Sequence, residues 1–191
     1  MGLSKPLEAL AFIVSLCQTK RHTALVIAPT SLLSLWESEI AKHIQLEDLT
    51  VLRINTGKQT LEYSCYDFQN FNIVLTTKTI ICNQIELYRT ALRRSSTKLI
   101  PRKGWSFLGV IDLKLPSEIK RWPCAVLDEA HDIRNDKNKI LSAPCQYIKA
   151  QKKLALTGTP IQNDPWDLFA LLRWIEHKEY GEDVNKFLVV G

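Results

Sequence analysis

The sequence predicts an α/β fold in which helices cover both faces of a mostly parallel sheet. Short runs of consecutive apolar residues alternate along the chain with stretches whose apolar positions recur at helical spacing. The runs lack the alternation of a half-exposed strand, which is typical of parallel strands that are buried on both faces. In such sheets the carboxyl ends of the strands form the ligand crevice. The residues that directly follow each strand are therefore the candidates for chemistry.

The first predicted elements are a helix, a strand and a second helix. Residues 7–16 have apolar positions at helical spacing, and residues 24–28 form an apolar run that ends at Pro29. Ser31 is a suitable N-cap for an amphipathic helix, and the apolar side of that helix includes residues 32, 35, 36, 40 and 44.

The rest of the chain continues this alternation. Further strands are predicted at residues 51–54, 73–75, 125–127 and 154–156, and a helix is predicted at residues 79–92. A last helix begins after the cap residue Asp164, with Pro165 at its first position. Four tryptophans are expected to pack in the core or an interface rather than to stack on bases: Trp36, Trp122, Trp166 and Trp174.

The composition fits one intracellular domain. The chain has 191 residues, of which 46% are hydrophobic, and this is enough to build a core. Lys and Arg number 25 against 20 Asp and Glu, and the net charge of +5 permits a polyanionic partner without requiring one. The five cysteines form no Cys-x-x-Cys pair, so neither a disulfide framework nor a zinc site is predicted. No apolar run approaches the roughly 18 residues of a membrane helix, and Glu8 within the first apolar run disfavours a secretory signal.

A basic, irregular insertion is predicted at residues 89–122, within a single domain that spans residues 1–191. The first part of this segment, residues 89–103, contains six basic residues and no acidic one. Two interpretations of this pattern stay open, because a basic run is typical both of a solvated loop and of a surface that contacts phosphates.

Two carboxylates directly follow the apolar strand at residues 125–127. A nucleoside triphosphatase needs this arrangement, because one carboxylate, here Asp128, holds hydrated Mg²⁺ and the next, here Glu129, positions or polarises the attacking water. An acidic turn without a catalytic role is the alternative interpretation.

A small polar turn follows the strand at residues 154–156. It contains Thr157, Gly158 and Thr159. The two threonine hydroxyls can contact a phosphate or the acidic turn, and the glycine, which has no side chain, allows a close approach. Together the two turns make the sequence resemble the Swi/Snf-type ATPases of helicase superfamily two, which are ATP-driven motors that translocate on double-stranded DNA. The resemblance is to the first RecA-like lobe, a P-loop NTPase lobe, of that family.

The resemblance covers most of the chain and keeps the order of the family's motifs. Residues 1–6 resemble the end of the phosphate-binding loop. Residues 25–29 with Leu33 and Trp36 resemble one motif on the DNA side, and residues 74–77 resemble another. Residues 128–131 resemble the Mg²⁺ box, and residues 157–163 with 167–172 resemble the motif that couples nucleotide to DNA. This last motif is most similar to the repair-associated and transcription-termination branches.

The resemblance implies ATP and Mg²⁺ as cofactors, double-stranded DNA or chromatin as a partner, and a nuclear location. The implied nucleotide-binding residues are Gly2, Leu3, Ser4, Lys5, Pro6, Asp128, Glu129 and His131, of which Asp128 holds Mg²⁺ through water. The implied DNA-side residues are Pro29, Thr30, Thr76, Thr77 and Lys78. The implied coupling residues are Thr157, Gly158, Thr159, Gln162 and Asn163, which His131 links to the nucleotide site.

The phosphate-binding loop departs from the family's pattern. A working loop ends in Gly-Lys-Thr or Gly-Lys-Ser, in which backbone amides cradle the phosphates and the hydroxyl ligates Mg²⁺. This chain has Ser4-Lys5-Pro6 instead. Lys5 keeps its charge, but Pro6 has neither a hydroxyl nor an N–H, and Ser4 adds a side chain. Because proline is tolerated in the first turn of a helix, we expect the helix to survive the loss of this chemistry.

The family's pattern is also incomplete at both ends of the sequence. Met1 falls within the loop, so we expect the strand before it to be missing, and no second RecA-like lobe follows Gly191. A fragment, an incomplete gene model and a decayed copy of a longer protein all fit this pattern. The second lobe of the family supplies an arginine, and such a group contributes about 10³-fold or more to phosphoryl transfer. We therefore expect poor hydrolysis by this chain alone.

Three hypotheses follow. The chain is an ATPase lobe of the family, or it is a catalytically dead binding module that contacts DNA or a protein partner through the face that a second lobe would cover. In the third hypothesis the chain does not fold stably alone, because a lost interior strand uncovers apolar side chains that are each worth about 1.5 to 3 kcal/mol.

Overall fold

Strands and helices alternate along the chain, as the sequence predicts. The computed structural model describes residues 5–17, 23–44, 49–63, 67–94, 122–133, 148–161 and 165–176. The strands are β1 (Ala24–Ile27), β2 (Val51–Ile54), β3 (Ile73–Thr76), β4 (Trp122–Leu127) and β5 (Ala150–Ala155). The helices are α1 (Lys5–Cys17), α2 (Leu33–His43), α3 (Lys78–Arg94) and α4 (Pro165–Trp174).

The five strands form one parallel sheet in the order β2-β3-β1-β4-β5. In the centre of the sheet, Val26 lies opposite Leu75 on one side and opposite Val126 on the other. Because every strand runs in the same direction, all five carboxyl ends meet at one edge. This edge collects the residues that follow each strand.

Helices cover both faces of the sheet, and this confirms the predicted fold class. Strand β1 is buried at all four positions, and its side chains alternate between two hydrophobic clusters. Leu25 and Ile27 pack with α3 and α4 on one face, whereas Ala24 and Val26 pack with α1 and α2 on the other. The consecutive apolar residues of the sequence are therefore explained by two-sided burial.

The beginning of α2 differs from its prediction. Ser31 does not cap this helix, because it lies inside a 3₁₀ turn at Thr30–Leu32, and α2 begins at Leu33 without a side-chain cap. The backbone N–H of Leu32 donates to the carbonyl of Pro29 over 2.9 Å. The extra turn satisfies backbone groups that the Ser31 hydroxyl was expected to serve.

The boundaries around the basic segment also differ from the prediction. Helix α3 continues to Arg94, so residues 89–94 are helical rather than irregular. Strand β4 begins at Trp122, three residues earlier than predicted. Residues 95–121 and the predicted cap Asp164 lie outside the described residues. In the part of the chain that the structure covers, no helix is long and apolar enough to cross a membrane.

Three of the four tryptophans pack in the core as expected. Trp36, Trp122 and Trp174 are at most 2% exposed. Trp166 is the exception, since it is 37% exposed and packs edge-to-face on Phe169 with 5.8 Å between the ring centroids.

Candidate nucleotide site and nucleic-acid groove

Asp128 stands at the carboxyl end of β4, where both of its carboxylate oxygens accept a hydrogen bond. The side chain belongs to a residue that is 3% exposed. Its Oδ2 accepts from the indole Nε1 of Trp36 over 2.8 Å, and its Oδ1 accepts from the backbone N–H of Glu129 over 2.8 Å. A carboxylate oxygen has two lone-pair sites, so each of the two oxygens retains the capacity to accept another bond.

Glu129 adopts a backbone conformation that non-glycine residues rarely use. Its φ of 45° lies in the left-handed region, which is costly for a residue with a Cβ atom and is found preferentially at functional sites. The side chain of Glu129 lies between the ammonium group of Lys5 and the imidazole ring of His131. Its Oε1 is 3.8 Å from Nζ of Lys5, and its Oε2 is 3.0 Å from Nδ1 of His131.

His131 connects the acidic turn to the turn after β5. Its Nδ1 is 3.3 Å from Oγ1 of Thr157, and that hydroxyl also accepts from the N–H of Thr159 over 3.2 Å. Backbone bonds reinforce the same junction, since the N–H of Ala130 donates to the carbonyl of Leu156 over 2.8 Å. The acidic turn and the turn after β5 are therefore connected directly, by the contact of His131 with Thr157 and by one backbone hydrogen bond.

Lys5 begins helix α1 and points its ammonium group at this junction. A Cβ atom added to Gly158 would lie 3.2 Å from Nζ of Lys5, which is tighter than most real contacts. Glycine thus leaves the space that the ammonium group occupies. Pro6 lies in the first turn of α1, and the helix continues through it to Cys17, as expected for proline at this place.

The structure brings together part of the predicted nucleotide site. Four predicted nucleotide-binding residues, Lys5, Asp128, Glu129 and His131, meet two predicted coupling residues, Thr157 and Gly158. Five predicted residues lie outside the described residues: Gly2, Leu3 and Ser4 of the nucleotide site, and Gln162 and Asn163 of the coupling motif.

The chemistry of this edge fits hydrated Mg²⁺ and a phosphate chain in part. A hard carboxylate and an ammonium group face one another across it, which suits a magnesium phosphate. Within the described ranges, no group of three His, Cys, Asp or Glu side chains forms a metal cage. Mg²⁺ needs none, because it usually keeps several waters and binds through one or two carboxylates and substrate phosphates. Pro6 does not fit, since it supplies no hydroxyl ligand.

A groove of about 320 Å³ lies at the ends of β1 and β3. Its walls are formed by residues that follow these two strands and by one acidic residue after β4: Ala28, Pro29, Thr30, Thr77, Lys78, Thr79 and Asp132. Four of the five residues predicted on the DNA side thus line one groove.

Lys78, at the start of α3, is the groove's buried cation. The residue is 8% exposed, and its Nζ donates to Oδ2 of Asp132 over 2.6 Å. The adjacent Thr77 is also buried, and its Oγ1 accepts from the N–H of Ile80 over 3.3 Å. The basic group that would meet a phosphate is therefore already neutralised by a carboxylate.

Thr76 does not line the groove. Its side chain is fully buried at the end of β3, and its Oγ1 has no hydrogen-bond partner among the described residues. A side chain in this position does not reach a ligand on the surface, so the prediction that Thr76 contacts DNA is wrong for the Thr76 side chain.

Two contacts of the site were missing from the sequence prediction. Trp36 is 92 residues away from Asp128 in the chain, and Lys78 is 54 residues away from Asp132. Asp132 also connects the two regions, because its Oδ1 is 3.4 Å from Nε2 of His131. The acidic residue after His131 was the available signal for this link, whereas nothing in the helical pattern around Trp36 indicates an acceptor.

Comparison with known proteins places this arrangement in a family. The SNF2-related domain matches residues 1–188 of the chain. The transcription termination factor 2 of Drosophila melanogaster is 32% identical over 157 residues, which are 82% of this chain and 12% of that protein. The CHD3-type chromatin-remodeling factor CHR7 of Arabidopsis thaliana is 27% identical over 197 residues, which are 97% of this chain and 14% of that protein. The chain therefore spans about one seventh or less of the length of these relatives.

The fold is shared with a solved structure. The SWI2/SNF2 ATPase core of Sulfolobus solfataricus, determined in complex with double-stranded DNA, matches 99% of this chain with 32% of its own length. The TM-score is 0.67 and the sequence identity is 24%. The domain match over nearly the whole length, the shared lobe architecture and the order of the acidic and polar turns lead to one conclusion. This chain belongs to the SNF2-related domain family, and its fold is that of the matched part of the SWI2/SNF2 ATPase core.

Proposed function

We propose that this lobe binds ATP with Mg²⁺ at the edge formed by Lys5, Asp128 and Glu129, and contacts double-stranded DNA at the neighbouring groove. The convergence of Lys5, Glu129, His131 and the turn after β5 on one edge is the observation that carries the proposal. These residues come from three separate elements, and no packing requirement explains why their charged groups meet.

Each residue at the edge has a role that follows from its position. The ammonium group of Lys5 binds the terminal phosphates, for which it would leave its contact of 3.8 Å with Glu129. Asp128 holds the metal through water, and its two existing hydrogen bonds orient the carboxylate. Bound Mg²⁺ would neutralise charge on the phosphates. Glu129 orients the attacking water, and His131 transmits its position to Thr157.

We propose further that this site binds nucleotide better than it hydrolyses it. Pro6 follows Lys5 in the first turn of α1, where a hydroxyl ligand for Mg²⁺ is expected in a working loop. A proline also removes a backbone N–H that could donate to a phosphate. The loss weakens the hold on the metal but leaves Lys5 and the acidic turn in place.

The groove supports the DNA part of the proposal. Thr30 and Thr79 are exposed at its rim, and the N-terminus of α3 begins there. A helix N-terminus and hydroxyl groups suit a phosphate of the DNA backbone. Contact of this kind reads no sequence, because phosphates are the same at every base pair. A chromatin substrate and a nuclear location follow as proposals from the family.

A second candidate function is a binding module without catalysis. Pro6 favours it at the nucleotide site, and two exposed apolar side chains favour a protein partner near the coupling turn. Ile161 is 53% exposed directly after that turn, and Trp166 is 37% exposed at the start of α4.

Binding of radiolabelled ATP by equilibrium dialysis, together with phosphate release, distinguishes the candidates. We expect wild-type chain to retain ATP in Mg²⁺, and Lys5→Ala to lose most of this binding. Lys152→Ala is the matched control, since it removes an exposed charge from β5. Phosphate release by the wild-type chain should equal phosphate release by Glu129→Gln. Release that exceeds this variant contradicts weak hydrolysis, and wild-type binding that Lys5→Ala retains contradicts the site.

DNA contact is tested by fluorescence anisotropy with a labelled duplex. Thr30→Glu adds a negative charge at the rim of the groove and is expected to weaken binding more than tenfold at low salt. Ser38→Glu adds the same charge at an exposed position of α2 outside the groove. Equal effects of the two variants contradict a DNA site in the groove.

A further inference from the structure

We propose that Trp36 is a positioning residue for the metal-binding carboxylate of Asp128, and that its indole N–H ties helix α2 to the nucleotide site. The inference rests on the proposed function, because it concerns the carboxylate that the proposal assigns to Mg²⁺. Trp36 itself touches neither nucleotide nor metal in this account. It acts only through Asp128.

The bond between Trp36 and Asp128 is made inside the protein. Trp36 is fully buried and Asp128 is 3% exposed, and the distance from Nε1 to Oδ2 is 2.8 Å. An indole has a single donor and no acceptor, so this bond has one direction. A buried carboxylate that loses such a donor leaves an oxygen short of a partner, which is costly. The indole therefore holds one oxygen of the carboxylate in place.

The other oxygen of Asp128 has a purely local partner. Oδ1 accepts from the N–H of the next residue, Glu129, over 2.8 Å, within the same turn. That bond lies within the turn and does not connect the carboxylate to another helix. The bond to Trp36 spans 92 residues and is the one that relates the carboxylate to another helix. The N–H of Asp128 donates to the carbonyl of Ile27 in β1 over 2.8 Å and holds the backbone against the sheet, whereas the direction of the carboxylate depends on α2.

Helix α2 is itself held rigidly. Leu33 and Ile40 on its inner side are at most 3% exposed, and Glu37 on the same helix pairs with Arg53 of β2 over 2.7 Å. The 3₁₀ turn at Thr30–Leu32 runs directly into α2, and Thr30 lines the groove. A contact at the groove therefore lies about two helical turns and one hydrogen bond away from the metal-binding carboxylate. Precise sites are commonly supported in this way by a second layer of donors.

Trp174 provides a matched control for the test. It is also fully buried, and its Nε1 donates to the carbonyl of Leu154 over 3.0 Å. Trp36→Phe and Trp174→Phe each remove one indole N–H and keep an aromatic ring in the core. They differ in the acceptor that loses its donor, which is the Asp128 carboxylate in one case and a backbone carbonyl in the other.

The test is a titration with Mg²⁺ at a fixed ATP concentration, in which the thermal midpoint of each variant is recorded. The quantity compared is the Mg²⁺ concentration that gives half of the increase in the midpoint. For Trp36→Phe we expect this concentration to rise about tenfold or more, as is common when a supporting donor of a metal ligand is removed. For Trp174→Phe we expect the wild-type value. ATP binding measured in EDTA should be the same in both variants, because the change affects the metal and not the phosphate contacts.

The outcomes separate the inference from the function on which it rests. An ATP effect in the wild type with equal Mg²⁺ dependence in both variants overturns the inference alone. A wild-type chain whose midpoint ATP does not move at any Mg²⁺ concentration overturns the proposed function and the inference with it.

A second measurement on the folded wild-type chain covers the case in which Trp36→Phe does not fold. The indole ¹H–¹⁵N signal of Trp36 is identified by its shift in Asp128→Asn. With Mn²⁺ and ATP, this signal should broaden more than that of Trp122, which lies at the opposite end of β4. Equal broadening of the two signals, or no indole signal that responds to Asp128→Asn, overturns the inference.

Discussion

The proposed nucleotide edge (Lys5, Asp128 and Glu129) and the proposed nucleic-acid groove hold their cations differently. At the nucleotide edge, the Lys5 side chain is 39% exposed and stands 3.8 Å from Glu129, so its ammonium group is accessible to a phosphate. In the groove, the Lys78 side chain is 11% exposed and is bound to Asp132 over 2.6 Å. An anion at the first region displaces a long and exposed ion pair, whereas an anion at the second must break a short ion pair of a largely buried lysine.

This difference suggests how the two regions influence each other. Asp132 shares its carboxylate between Lys78 and His131, and His131 contacts Glu129. A DNA phosphate that competes for Lys78 therefore changes the balance of charge on the group that holds Glu129. Exposed ion pairs contribute little to stability and are screened by salt. The influence of DNA on Glu129 should therefore depend on the burial of the Lys78–Asp132 pair.

The largest effect is expected from repair of the nucleotide edge. Pro6→Thr restores the hydroxyl and the N–H in a position that is already helical. A hydrogen bond to a charged group is worth about 1.5 to 3 kcal/mol, so ATP binding in Mg²⁺ should tighten about tenfold or more. Equilibrium dialysis measures the change. Pro6→Ala, which restores the N–H alone, is the control, and equal affinities of the two variants contradict a missing hydroxyl ligand.

A smaller effect is expected from relief of backbone strain at the acidic turn. Glu129→Gly removes the Cβ atom at a φ of 45°, whereas Glu129→Gln keeps it. Both variants lose the carboxylate, so Glu129→Gly should be more stable than Glu129→Gln by about 1 kcal/mol. Urea unfolding measures the difference. At Glu62, where φ is −83°, the same pair of substitutions should give the opposite order, and the same order at both positions contradicts the strain.

A smaller change still should separate the groove from the nucleotide edge. Asp132→Asn leaves Lys78 without its carboxylate partner, so the lysine becomes available to a phosphate. We expect DNA affinity to increase a few-fold and the dependence of log affinity on log salt to steepen by about one unit. Anisotropy titrations at several salt concentrations measure both quantities. Glu62→Gln is the control, because it removes one negative charge outside the groove. An equal gain in DNA affinity in both variants would mean that net charge alone causes the effect, and it would contradict a role of Lys78.

The smallest effect concerns a thiol one turn after Lys78. Burial raises the pKa of Cys82, and the neighbouring Lys78 partly lowers it. The thiolate, which is the reactive form, is therefore scarce at pH 7 and increases as the pH rises towards the pKa. Lys78→Met removes the lowering influence, so alkylation of Cys82 should become slower.

Iodoacetamide labelling followed by mass spectrometry of the Cys82 peptide measures this rate. Lys58→Met, at an exposed position away from α3, is the control. Faster labelling in Lys78→Met than in the control contradicts the predicted direction.

Much of the fold could be predicted because local and global signals agree. The apolar runs of β1 and β4 are buried on both faces, so their sequence pattern and their place in the sheet have one cause. The position of Asp128 and Glu129 could be predicted for the same reason, since a polar residue that ends a buried strand stands at the carboxyl edge, and their catalytic roles stay predictions. Ser31 shows the limit, because a backbone turn replaced the predicted cap.

The contacts between distant residues could not be predicted in this way. The pattern around Trp36 predicts a buried helix face, which is correct, but it carries no information about the acceptor 92 residues away. Thr76 was assigned to the DNA side with Thr77, yet the Thr76 side chain is fully buried at the end of β3, whereas Thr77 follows the strand and lines the groove. The turn after β3 then places Lys78 against Asp132, which depends on the position of β4 and not on the local sequence.

The account is tested most directly by the thermal midpoint of the full chain with and without Mg²⁺ and ATP. A ligand that binds only the folded state raises the midpoint. We predict a cooperative transition that moves up with Mg²⁺-ATP in the wild type and in Lys152→Ala, and that does not move in Lys5→Ala. A wild-type midpoint that ATP leaves unchanged, or a shift that Lys5→Ala retains, would contradict a nucleotide site at this edge of the sheet.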